Sequence, residues 1–168
     1  MAGTATRRLA PRWRKLLLTT HVGASVGLLG TDATVLLLAV TGAQGRDPGA
    51  VYPAAQLIGS RLLVPAALLS LVTGVLLGLL TPWGLFRHWW VTAKLVLTTA
   101  GAVLSLVVLT PALTGLADAA GGPVAFTQRL ELVRDSGAAS LVLVATLVLS
   151  VYKPFGRVRR RREPARTR

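Results

Sequence analysis

The sequence holds no cysteine, one methionine, two histidines and six acids among 168 residues. Without cysteine there is no disulfide, thiolate metal site, iron–sulfur cluster or haem attached through a Cys-x-x-Cys-His motif. Two histidines, with no thiolate and no methionine-rich segment, supply too few ligands for a closed zinc or copper site. The scarce carboxylates form no pair suited to general acid and base work. No Gly-rich phosphate loop and no nucleophile–base–acid set stand out either. Nothing among these residues supports an enzyme, so a non-enzymatic role is the leading expectation.

What the chain has in quantity is apolar residues, 52% of the total, and they come in long uninterrupted blocks. A bilayer span needs roughly 20 such residues. Blocks at 16–40, 54–80, 89–109 and 136–152 therefore predict four membrane helices. The first is longer than the roughly 7–15 residues of a secretory apolar core, so it reads as a retained helix. Pro82, Pro111 and Pro154 are expected to end the second, third and fourth spans. The segment "TGAQGRDPGAVYP" reads as a turn-rich link. Before the last span, Gly121, Gly122 and Pro123 break the chain, and Phe126, Leu130 and Val133 then recur at helical spacing. That suits a short amphipathic helix at the interface, an ordinary solvated loop being the other reading. The predicted fold class is all-α: an integral membrane four-helix up-down-up-down bundle.

Nineteen Lys and Arg give a formal net charge of +13, but their placement argues against nucleic acid as a partner. Arg7, Arg8, Arg12, Arg14 and Lys15 make residues 1–15 a basic segment. Lys153, Arg157, Arg159 to Arg162, Arg166 and Arg168 fill a tail, 153–168, predicted to be disordered. With Arg87 they put fourteen cations on one side of the membrane (five, one and eight). Arg46, Arg129 and Arg134 lie on the other. The positive-inside bias then places both termini in the cytoplasm, in a multi-pass plasma-membrane protein whose basic ends lie on anionic inner-leaflet lipids.

Packing between membrane helices relies on small residues and interhelical hydrogen bonds. Each predicted helix offers such a stripe: Thr20, Gly23, Gly27, Thr31 and Thr34 in the first, Ser70, Gly74 and Gly78 in the second. Lys94, Thr98, Gly101 and Ser105 supply it in the third, and Ser136 and Ser140 in the fourth. The rival use of any stripe is a homo-oligomer seam, and a membrane-protein partner is the other candidate. Three ionisable residues fall inside spans: Asp32, Arg61 and Lys94. Asp32 and Arg61 lie at matching depth below the same end of adjacent helices. They are expected to pair, either as a register lock or as the lining of a proton or ion path. Lys94 is expected to snorkel to the interface. His21 and His88 both fall in the cytoplasmic half, on the first and third helices. Two imidazoles across that diagonal could hold haem b or copper, the alternative being interfacial hydrogen bonding.

The stretch "TPWGLFRHWW", residues 81–90, joins spans two and three. Trp83, Trp89 and Trp90 with Phe86 make an aromatic belt, and Arg87 carries the positive-inside charge of that link. Together with "LLLTTHVGASVGLLGTDATVLLLAV" and "RLLVPAALLSLVTGVLLGL", it resembles a group of small actinobacterial four-helix membrane proteins of unknown function. These are distantly similar to CopD-type copper-resistance membrane proteins. The resemblance covers about residues 14–110 and implies a membrane fold, with His21, Arg61, Pro65, the 81–88 link, Trp90 and Lys94 as pattern positions. The function it leaves in view is an accessory or small-ligand-handling bundle with no cofactor. A haem- or copper-binding protein using His21 and His88 is the alternative.

Overall fold

The computed structural model describes residues 10–80 and 89–152, and of Trp89 and Trp90 only the backbone. Among the described residues there is no strand. Helix α1 (Pro11–Ala43) and helix α2 (Pro48–Ile58) each open with a proline in the first turn, where its missing N–H leaves no bond unmade. The reversal between them needs only residues 44–47. There Gly45 takes φ 77° and Asp47 φ 36°, left-handed conformations that glycine and a short polar side chain tolerate. The link is thus shorter than its Gly and Pro content suggests, because Pro48 starts a helix instead of prolonging a loop.

Helix α2 runs through a π-helical turn (Gly59–Leu63) into α3 (Val64–Leu80). Helix α4 (Trp89–Leu104) passes through a second π-helical turn (Ser105–Leu109) into α5 (Thr110–Asp118) and a final 3-10 turn. Helix α6 (Phe126–Tyr152) completes the chain as described. Four continuous helical stretches result: Pro11–Ala43, Pro48–Leu80, Val91–Gly121 and Phe126–Tyr152, of 33, 33, 31 and 27 residues. Each is long and apolar enough to cross a membrane. Exposed leucines and valines such as Val26, Leu37, Leu62, Val107 and Leu141 give the helices an apolar exterior. The protein is therefore a multi-pass membrane protein by length, composition and surface.

The two π turns share a cause. Each ends two residues before a proline, Pro65 or Pro111. The proline ring would collide with the carbonyl four residues back and offers no N–H to it. Widening the turn relieves this: the Val64 N–H donates to the Gly59 carbonyl, and the Thr110 N–H to the Ser105 carbonyl. Pro111 consequently does not end the third helix, which continues into α5. Helix α6 likewise begins at Phe126, so the segment expected as a separate interfacial helix or loop forms its first turns.

Helix α1 packs against α2, α3 and α6, while α4 packs against α3 and α6, and α2 against α5. The buried face of α1 is Ala24, Leu28, Asp32, Val35, Ala39 and Gly42, at steps of three and four residues. The small-residue stripe expected to pack α1 lies elsewhere. A Cβ on Gly23, Gly27 or Gly30 would meet nothing within 4 Å. The Thr31 and Thr34 hydroxyls donate back to their own helix, at the Gly27 and Gly30 carbonyls. The expected stripe is mostly one residue out of phase with the buried one, about 100° around a helix of 3.6 residues per turn. The other stripes do face neighbours: Ser70, Gly78, Ser105 and Ser136 are buried, and a Cβ on Gly101 would lie 3.3 Å from Val142.

A buried cluster extends from the end where α1 turns into α2, and includes Tyr52, Ala55, Leu63, Leu109, Leu113 and Leu132. Two glycines allow it. A Cβ on Gly42 would stand 2.7 Å from the Tyr52 ring, and one on Gly59 would stand 2.6 Å from Leu113 Cδ1.

Candidate functional site

At the opposite end the packing opens. The beginning of α1, the end of α3 and the beginning of α4 enclose a cleft of about 450 Å³. Its walls are largely aliphatic, from Leu18, Leu71, Val75, Leu77, Val91 and Leu95. Set into those walls are Arg14, Lys15, Lys94 and His21, with Ser70 and Thr98 as neutral polar groups. No carboxylate lines the cleft among the described residues, and the ion pair recorded among them is Arg134 with Asp135, on the exposed side of α6. Apolar walls with several cations and no anion make a region of positive potential in a medium that screens it poorly.

Each charged group reaches the cleft by local logic. Arg14 and Lys15 stand in the first turns of α1, before the apolar run. Lys94 is half-buried, and its Nζ donates to Ser150 Oγ on α6 at 2.7 Å. Ser150 in turn donates to the Thr146 carbonyl. This hydrogen bond ties α4 to the last described turns of α6.

His21 is held by three groups of α3. Its Nδ1 lies 3.0 Å from the Ser70 carbonyl and 3.1 Å from Thr73 Oγ1. The edge of its ring approaches α3 so closely that a Cβ at Gly74 would stand 3.0 Å from Cε1. Ser25, one turn further along α1, shares a 2.8 Å hydrogen bond with the Ser70 hydroxyl. With Nδ1–H donating to a carbonyl, Nε2 keeps its lone pair, the posture that a metal-ligating histidine adopts. His88, the second imidazole of the haem or copper reading, lies outside the described residues. No group of three His, Cys, Asp or Glu gathers among those described. The residues on view therefore fit one axial ligand and no more.

The expected Asp32–Arg61 ion pair does not form. Asp32 is 1% exposed on the inner face of α1, and its Oδ2 accepts a hydrogen bond from Ser140 of α6 at 2.5 Å. Arg61 is exposed. On its helix the buried positions run Tyr52, Ala55, Gly59, Leu63, Ala67 and Ser70. Arg61 falls midway between Gly59 and Leu63, about half a turn away from α1. Matching depth brought the two side chains level, and azimuth kept them apart.

Trp83, Arg87 and His88 lie outside the described residues, and Trp89 and Trp90 form the first positions of α4. The aromatic-belt expectation therefore falls where no side chain is described. Three partners escaped sequence reasoning: Thr73 for His21, Ser140 for Asp32 and Ser150 for Lys94. Ser140 was visible only as a small residue in a stripe, and nothing in spacing alone pairs it with a residue 108 positions away. Comparison with protein-family models, curated proteins and solved structures finds no match to this chain.

Proposed function

We propose that the protein is a small-ligand-handling membrane protein, not an enzyme, whose cleft between α1, α3 and α4 holds an anionic amphiphile. The ligand has an apolar body and a carboxylate or phosphate head. The helices form an up-down-up-down bundle in the plasma membrane with both termini cytoplasmic, as the distribution of Lys and Arg favours. The cleft then opens toward the inner leaflet, where anionic lipids collect. One observation carries this reading: an aliphatic cleft of about 450 Å³ is lined by Arg14, Lys15 and Lys94 with no described carboxylate to balance them. Ligand sites of roughly 300–1,000 Å³, mostly apolar with a few placed polar groups, are the usual size for small molecules.

The test is native mass spectrometry of the full-length protein in detergent. A fatty acid, a phosphatidic acid and a neutral alcohol of the same chain length would be offered in turn. The charged amphiphiles should be retained, and the combined variant Arg14→Gln, Lys15→Gln, Lys94→Gln should weaken them by about tenfold or more, roughly 1.4 kcal/mol per decade. Retention of whichever head binds better distinguishes free acid from lipid. Equal retention of the alcohol, or unchanged binding in the variant, would overturn the proposal. The clamped His21 ring favours a second reading, a haem or copper centre using its free Nε2. The same preparation decides it, since a visible band on adding haem that disappears in His21→Ala would displace the amphiphile.

A further inference from the structure

Asp32 is the most deeply buried carboxyl group among the described residues, and its interactions are incomplete. It sits near the middle of α1, 1% exposed. Its Oδ2 meets the Ser140 hydroxyl, while Oδ1 is buried with no hydrogen-bond partner. Among the described residues no cation pairs with it. On α6, Arg134 pairs with Asp135, and Arg129 and Glu131 lie near the start of the helix. On the neighbouring π turn Arg61 is exposed, and α3 contains no ionisable residue at all. On α2 the titratable group is Tyr52, and on α1 itself the nearest is His21, held by α3. A carboxylate at this depth with one hydrogen bond and no counter-charge is a costly arrangement. Insertion scales charge a membrane-centre Asp about 2.5–3.5 kcal/mol, and an unpaired buried ion is worse than a paired one.

A bound cation removes that cost, and the surroundings say which. Calcium wants six to eight oxygen ligands, and magnesium a near-ideal octahedron. Here the recorded polar neighbour is a single serine hydroxyl. That set fits the one cation that needs a single oxygen. We propose that Asp32, supported by Ser140, is a proton-binding site within the membrane-spanning part of the protein. The serine suits both occupancies, because a hydroxyl can donate to the carboxylate or accept from the acid. The bare Oδ1 is where the second state can be written: the proton sits on Oδ1 while Ser140 continues to donate to Oδ2. This inference does not depend on the amphiphile reading, since Asp32 is not among the residues lining the cleft.

The test is infrared spectroscopy of the full-length protein reconstituted in lipid at neutral pH. The wild type should show the carbonyl stretch of a protonated carboxyl, resolved from carboxylate bands. That band should shift in deuterated water, move in Ser140→Ala as its hydrogen bond is lost, and vanish in Asp32→Asn. Isotope-labelled aspartate in the wild type identifies the band even if Asp32→Asn fails to fold. The other described aspartates cannot supply it, Asp47 and Asp118 being exposed and Asp135 ion-paired. Aspartate signal confined to carboxylate bands would overturn the proposal. So would a protonated band that persists undiminished in a folded Asp32→Asn.

Discussion

The two ends of the helix assembly use small residues in opposite ways. Where α1 meets α2, Gly42 and Gly59 let large partners come down onto the backbone, and Tyr52 and Leu113 fill the space completely. At the other end Gly74 admits the edge of His21, but the space beside it stays open as the cleft. A glycine thus closes a core when its partner is a fully buried ring or a branched chain. It leaves room when the partner is a polar ring tethered to one side by Ser70 and Thr73. The polar residues follow the same division: the three cations of the cleft are on its walls, while the tight end buries a tyrosine hydroxyl without a partner.

The contrast can be broken most forcefully at the tight end. Tyr52→Ala should cost about 3–5 kcal/mol, the loss expected for emptying a buried aromatic site. Tyr52→Phe should change stability by less than about 1 kcal/mol in either direction, because the hydroxyl it removes has no partner. Thermal unfolding in detergent measures both, and equal losses would mean that the hydroxyl is bonded after all. Gly59→Ala comes next. Its new Cβ would stand 2.6 Å from Leu113 Cδ1, an overpacking that costs about 1–3 kcal/mol. Gly74→Ala at the open end should cost less than Gly59→Ala, because the His21 ring can move into the cleft. It should also lower charged-amphiphile retention in the binding assay. The smallest effect belongs to Arg61→Gln, within about 0.5 kcal/mol as for other exposed positions. A loss near that of a broken buried ion pair, about 3–5 kcal/mol, would restore the pairing with Asp32.

Why some of this was legible and some was not comes down to depth and azimuth. Apolar run length announced four helices, and depth along each run set Asp32 level with Arg61. Depth says nothing about which way a side chain faces once two helices touch. The Gly23–Gly27 stripe and Arg61 were both misassigned for that reason. The prolines show a related limit. Pro111 is a stop signal in a local reading, yet its helix runs on through a π turn, as the helix that contains Pro65 does. The neighbouring helices continue to bury their faces, and one widened turn costs less than ending the element.

The sequence by itself therefore determined the class of the protein: long apolar blocks of about 20 residues become membrane helices, because a helix is the arrangement in which a single segment satisfies all its backbone hydrogen bonds within itself in lipid. It also determined that charge is concentrated at the ends and almost excluded from the middle. Only the tertiary structure decided which partners the exceptions take. Ser140 meets Asp32, Ser150 meets Lys94, and Ser70 with Thr73 meets His21. The physical reason is that each of these contacts joins residues from different helices. Their rotation and spacing are set jointly by every side chain between them, and not by the local sequence of either.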